Sequence, residues 1–317
     1  MRNHTIDSLK FFCAFLVVLI HVQTPFTSYY LPITRCAVPL FFMISGYYLY
    51  CHTDATSIKR NISHIARLLI YGTLLYVPLY LLIHPLCDMI GLFSWKSFFR
   101  IVVLNENPIA FHLWYLQAYI YALGVVLFLA KYHLINKVIY AVPVLLLTDV
   151  VFGKYGKMIM EGGVSILYFR NFLFVGLPYI LIGFIMRKYQ DKFTRHSALL
   201  FILISVTALI ISYTTNYYLQ NNGLLSPRNH SLMTTVLSVC VFALVLKNTK
   251  NKETIWSELG RKYSLPIYIF HILIGAVLAT VAKHMGILET YSYVAPILVV
   301  LSSIIFTYVI RRLGIPI

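Results

Sequence analysis

Lys10 and His21 stand eleven positions apart in the first apolar stretch of the chain. On an α-helix, eleven steps of ~100° return a side chain to within roughly 20° of its starting direction, ~16 Å along the axis. A cation near one end of the stretch and an imidazole deep inside it therefore share a face. Between them that face carries Ala14 and Val17, small enough to leave a slot for something elongated. An imidazole of ordinary pKa ~6.5 can take a proton from a hydroxyl near neutral pH, and a lysine offers a point charge to a phosphate. The pair describes a site for an anionic substrate with a reactive far end. Two plainer readings compete: His21 as a packing residue bonded to a neighbouring helix, and Lys10 as a lysine that snorkels to lipid headgroups.

Other ionisable groups fall inside apolar runs, where each is costly and calls for an interior partner. They are Arg35, His112, Asp149, Arg170 and His271. Ser264, Tyr268, His271 and Gly275 lie at 0, +4, +7 and +11, a single helical stripe expected to face the interior. His271 then either meets His21, positions an acceptor, or belongs to a structural polar network between helices. His112, Tyr115 and Tyr119 follow an i, i+3, i+7 spacing on another face. Trp114 beside them reads as an interfacial belt ring, although such rings also stack on sugars, which makes His112, Trp114 and Tyr115 acceptor-binding candidates. Arg35 either binds an anion or sits at the membrane interface. Arg170 either steadies an oxyanion or anchors its helix at that interface. Ser45 and Gly46 permit close approach of a helix or a ligand, and Gly176 and Gly183 share a face suited to tight packing. Asp149, the only acid inside a run, is expected to partner a cation whose identity the sequence leaves open.

The elements that position these groups follow from hydropathy. Of 317 residues, 60% are hydrophobic and 11% charged, and the mean hydropathy is +0.79; together these give an all-α, polytopic membrane bundle. Ten runs approach the ~20 residues that cross a bilayer: 9–27, 31–50, 66–87, 109–130, 134–152, 170–187, 197–217, 231–247, 263–283 and 291–310. They predict one integral membrane domain over 1–317, with no room for a separate soluble one. The first run lacks a small-residue cleavage site, so it is expected to be a retained helix. A formal charge of +16 invites a nucleic-acid reading, but placement argues otherwise. With a cytoplasmic N-terminus, eighteen of the 26 basic residues fall on the inner side and eight, Lys154 and Arg228 among them, on the outer. That is the positive-inside pattern, with both termini cytoplasmic and no nucleic-acid partner. Cys13, Cys36, Cys51, Cys87 and Cys240 show no paired spacing, so neither a disulfide framework nor a metal site is expected.

Four segments together resemble acyltransferase family 3 of bacterial integral membrane proteins. They are Ile6-Asp7-Ser8-Leu9-Lys10 leading to His21, Val38-Pro39-Leu40-Phe41-Phe42-Met43-Ile44-Ser45-Gly46-Tyr47, His112-Leu113-Trp114-Tyr115-Leu116, and Tyr263-Ser264-Leu265-Pro266-Ile267-Tyr268-Ile269-Phe270-His271. The resemblance implies a multi-pass protein of the bacterial inner membrane. It also implies transfer of an acyl group, most often acetyl, from cytoplasmic acyl-CoA to a hydroxyl of an envelope glycan or exopolysaccharide. His21 matches the family's essential histidine, and Ser45 and Gly46 match its second-helix motif. The family's first-helix motif is usually Arg-x10-His; here Lys10 keeps the charge but lacks the two-pronged grip of a guanidinium.

Geometry and resemblance combine in one expected mechanism. CoA phosphates bind near Lys10 and inner basic residues including Arg60 and Arg67, and the pantetheine arm runs up the slot to His21. His21 acts as general base, with His271 or Arg170 steadying the acceptor or the oxyanion and Arg35 and Tyr268 contributing to acceptor binding. The expected partners are a hydroxyl acceptor, membrane lipid and glycan-synthesis proteins, with no metal. The rival is a transporter of a glycan intermediate or amino acid, because the second-helix segment also resembles the membrane portion of serine racemases. A purely structural role leaves the buried histidines unexplained.

Overall fold

The computed structural model describes residues 3–84, 91–92, 94–226, 230–249 and 252–314; Arg2, Cys87, Arg228 and Lys250 lie outside them. Among the described residues the regular elements are all helical. Seven helices are long and apolar enough to cross a membrane: His4–His21, Ala55–Ile83, Phe111–Lys131, Ile135–Lys154, Ala198–Asn221, Ile255–His284 and Leu288–Arg312. The all-α membrane class expected from hydropathy is thus present.

The other three runs also fold as helices, but shorter ones. The run at 31–50 is split into Thr27–Thr34 and the 13-residue Ala37–Leu49. The run at 170–187 is divided between a π-helical turn, Phe172–Gly176, and the 12-residue Leu177–Lys188. Leu232–Lys247 has 16 residues. At ~1.5 Å per residue each falls short of a ~30 Å hydrocarbon core, so length alone does not make these three spans.

We label His4–His21 α1, Thr27–Thr34 α2, Ala37–Leu49 α3, Ala55–Ile83 α4, Trp95–Leu104 α5, Trp114–Lys131 α6, Val142–Thr148 α7, Leu177–Lys188 α8, Ala198–Asn221 α9, Leu232–Lys247 α10, Ile255–His284 α11 and Leu288–Arg312 α12. Local chemistry sets the starts that matter. The Asn3 side chain accepts the N–H groups of Thr5 and Ile6 and begins α1; Asp54 does the same for α4 through Ser57. Thr254 and Ser257 form a reciprocal capping box at α11. Helix α1 ends at His21, because Val22 adopts extended backbone.

The chain forms two compact units. The first comprises Met1–Phe41, Asp191–Ile210 and Thr234–Ile317. There α1 packs along α11, with α12 against both, around a core of Phe11, Ala14, Val18, Ile267, Val299 and Val300. The α1 and α11 backbones touch at Gly260, where a Cβ would overlap the Asp7 carbonyl. Lipid tails are as apolar as leucine, so such close contacts, rather than exclusion of water, hold helices together.

The second unit comprises Phe42–Gln190 and Ile211–Met233. Its tightest crossing is reciprocal. A Cβ on Gly46 of α3 would overlap the Ile180 carbonyl of α8, and one on Gly183 of α8 would overlap the Met43 carbonyl of α3. The small-residue packing expected at Gly183 is found there, and the open side of Gly46 is taken by a helix backbone. Helix α4 lies antiparallel to α6 in the same unit.

Candidate functional site

In the first unit, the α1–α11 contact brings His21 and His271 together, with ring centroids 5.2 Å apart and planes inclined at 44°. His271 is fully buried. Its Nδ1 lies 2.8 Å from the Tyr268 carbonyl and 3.1 Å from that of Ile267, both on its own helix. Carbonyl oxygens only accept, so Nδ1 is the donor and the neutral ring carries its lone pair on Nε2. One nitrogen is thus fixed by backbone, and the other is a hydrogen-bond acceptor in the neutral state. His21 is half-buried at the last position of α1. Tyr268 is buried, its ring 6.2 Å from that of His271, and Ser264 is buried one turn earlier. The interior stripe expected on this helix is present at Ser264, Tyr268 and His271.

At the other end of α1, Lys10 donates from Nζ to Asp7 Oδ1 at 2.9 Å. Asp7 is only 2% exposed, and the Gly260 contact presses α11 against its backbone. From sequence, Lys10 is expected as a point charge for phosphate or as a lysine that snorkels to headgroups. The structure makes it half of an ion pair, which lowers the net charge it presents and holds its stem in place. The slot expected between Lys10 and His21 is also corrected. Ala14 packs against the core with Ile267 and Val299, and Val17 is 3% exposed, so the chain's own helices take up that room. Arg35 is half-buried immediately after α2.

In the second unit, aromatic rings and one guanidinium gather around the start of α6. His112 sits in a 3-10 turn, Phe111–Leu113, and is buried with its ring 4.7 Å from that of Tyr76. Tyr115 meets Phe42 at 4.6 Å and stacks on Tyr119 at 6.2 Å. The Tyr119 hydroxyl bonds Asn61 at 2.9 Å and also Ser45. Arg170 lies over the Trp114 ring, 5.3 Å from its centroid, an arrangement stabilised by the ring quadrupole. Trp114, expected as an interfacial belt ring, is instead only 9% exposed, beneath that cation. Arg60 and Arg67 are exposed on α4, seven residues apart and so on one face.

Asp149 acquires the partner that sequence left open. Its Oδ2 lies 2.8 Å from His230 Nδ1, and His230 Nε2 lies 2.6 Å from the Tyr179 hydroxyl. Asp149 and Tyr179 are fully buried and His230 is 3% exposed. His230 lies one residue before the run expected at 231–247, which is why reading ionisable groups inside runs missed it. Lys154, assigned from sequence to an outer surface, is 1% exposed and donates to Asn216 Oδ1 at 2.7 Å. Both Asp149 and Lys154 belong to a π-helical continuation of α7, Asp149–Lys154, a form concentrated at functional sites. Among the described residues, no three His, Cys, Asp or Glu side chains converge as a metal would require.

Residues 3–311 match a known protein family described as an acyltransferase domain, the acyltransferase 3 family. Among curated proteins, the chain is similar to a serine/alanine racemase of Enterococcus gallinarum, 28% identical over 296 residues, covering 86% of this chain and 40% of that protein. It is also similar to an amino-acid racemase of Enterococcus faecalis, 24% identical over 343 residues, covering 98% of this chain and 46% of that protein. The chain thus spans less than half the length of either relative. No solved structure matches it. With nearly its whole length matched, the chain belongs to the acyltransferase 3 family.

Proposed function

We propose that this member of the acyltransferase family moves an acyl group, most often acetyl, from acyl-CoA on the cytoplasmic side of a bacterial inner membrane to a hydroxyl of an envelope glycan. The observation that carries this reading is the His21–His271 pair. His271 is held by the Tyr268 and Ile267 carbonyls so that Nε2 is its accepting nitrogen. An acceptor nitrogen beside a second imidazole orients that imidazole, the logic of a base held by a third group. His21 takes the proton of the acceptor hydroxyl as its oxygen attacks the thioester carbonyl carbon. The tetrahedral intermediate then expels CoA thiolate, which receives the proton from His21, leaving an O-acyl ester and free CoA.

Lys10, oriented by Asp7, serves as a point charge for the donor's phosphates. The exposed arginines Arg60 and Arg67 add a long-range attraction for the same polyanion, which needs no direct contact. In the second unit, the Arg170–Trp114 stack, with His112 and Tyr115, has the flat rings and fixed cation that suit a sugar.

The relatives' names favour a second reading, handling of an amino acid, in which the same two histidines line a path for serine or alanine. One experiment separates the two. Purified protein given labelled acetyl-CoA is expected to transfer or slowly hydrolyse the label, and His21→Ala to abolish this. Flux of serine into proteoliposomes with no consumption of CoA would replace acyl transfer with transport.

A further inference from the structure

A furrow between α4 and α6 in the second unit has a volume of about 510 Å³ and is bounded by Ile70, Thr73, Asn107, Gln117, Ile120 and Tyr121. A second of about 510 Å³ adjoins it through Ile120 and Tyr121 and continues to Ile62, Gly124, Phe128 and Phe172. From Gln117 to Phe128 the two run roughly 16 Å along α6, at ~1.5 Å per residue.

The furrow has an amphiphile's order. At the Phe128 end its walls are hydrocarbon and aromatic. At the other end Asn107 donates to Thr73 Oγ1 at 2.8 Å and accepts the Ala110 N–H at 2.8 Å, and Gln117 donates to the Ile101 carbonyl. Arg100 pairs there with Glu106, which lines this end, at 2.6 Å, and Lys96 is exposed one turn earlier on α5. Helix α5 itself turns Trp95, Phe98 and Phe99 outward, the surface of a helix that lies in a headgroup layer.

Gly124 is the independent sign that the furrow is meant to be wide. A mid-helix glycine costs about 1 kcal/mol relative to alanine. At Gly46, Gly183 and Gly260 a touching backbone explains that cost, whereas a Cβ on Gly124 would meet nothing within 4 Å. The glycine deepens the floor of the furrow and brings no helix closer.

We infer that this furrow holds the hydrocarbon chain of a lipid-linked acceptor, with its phosphate beside Lys96 and Arg100 and its sugar toward His112. The continuity with the aromatic cluster argues for a lipid-linked sugar over a bulk phospholipid. Thr73 at the furrow's polar end lies one turn from Tyr76, whose ring packs on His112. The sugar's place rests on the acyl-transfer reading; the chain's place does not.

The test uses the full chain in phosphatidylcholine nanodiscs, with hexadecyl phosphate carrying a diazirine near its chain terminus as the probe. Labelling is expected to concentrate on furrow residues and to be lost in Gly124→Phe, with Gly124→Ala retaining it. Acetyl transfer from acetyl-CoA to hexadecyl-phospho-glucose should show a KM roughly tenfold higher in Gly124→Phe, with transfer to glucose 1-phosphate unchanged. Equal labelling of the furrow and of the exposed α9 surface at Leu199 and Leu203, or labelling insensitive to Gly124→Phe, would overturn the inference and leave only bulk lipid. Wild-type protein inert toward acetyl-CoA would sink the transfer reading, while the labelling result would still decide the furrow.

Discussion

His230 and His271 are both buried histidines in apolar surroundings, but they are held in opposite ways. His230 is clamped on both ring nitrogens by side chains from separate helical segments, Asp149 on Nδ1 and Tyr179 on Nε2. His271 is held at Nδ1 by carbonyls of its own helix, and its ring faces a second imidazole. A ring whose two nitrogens are committed to other elements joins those elements. A ring tethered at Nδ1 by its own backbone keeps a fixed tautomer in which the other nitrogen is the acceptor. The second unit's histidine is therefore a clasp, and the first unit's pair is a candidate for chemistry.

That contrast is sharpened by substitution, and the largest expected effect is on the chemical side. His21→Ala should lower acyl transfer by about 10²–10⁴-fold, the range for losing a general base, with helicity and melting temperature unchanged. His271→Phe keeps the ring volume but removes both nitrogens. It should lower kcat by about a hundredfold, as misplacement of a catalytic group does, with KM for acetyl-CoA unchanged. His230→Ala leaves the Asp149 carboxylate buried without its imidazole and should cost about 3–5 kcal/mol of stability. Thermal unfolding in detergent would register this, and turnover per folded molecule should stay near wild type. The smallest effect is expected at Lys10→Arg. A guanidinium can bridge Asp7 and a phosphate, so KM for acetyl-CoA should fall a few-fold; an unchanged KM would return Lys10 to headgroup snorkelling.

The class of fold was legible because hydropathy is a solvent property. Apolar runs long enough for a bilayer became helices, and periodicity placed Ser264, Tyr268 and His271 on one buried stripe. The interruptions were less legible. Splitting 31–50 at Arg35 and Cys36, and opening 170–187 with a π-turn capped by Asn171, are backbone choices that hydropathy does not encode. Pairings were least legible. His230 lies 81 positions from Asp149, and nothing in a one-dimensional pattern joins them. Lys154 looked like a loop cation because it follows a run and Gly153, yet the π-helical turn carries it inward to Asn216. Ala14 looked like an opening for the opposite reason. A small side chain on a helix face admits a ligand or another helix equally well, and here α11 and α12 fill it.

On the proposal above, His21 does chemistry and His230 holds structure. Single-turnover acetyl-CoA consumption, measured side by side for wild type, His21→Ala and His230→Ala and normalised to folded protein, tests this most directly. His21→Ala is expected to abolish the turnover with its fold intact, whereas His230→Ala keeps near-normal turnover with a lowered melting temperature. Loss of turnover in His230→Ala at unchanged stability, with His21→Ala active, would contradict it.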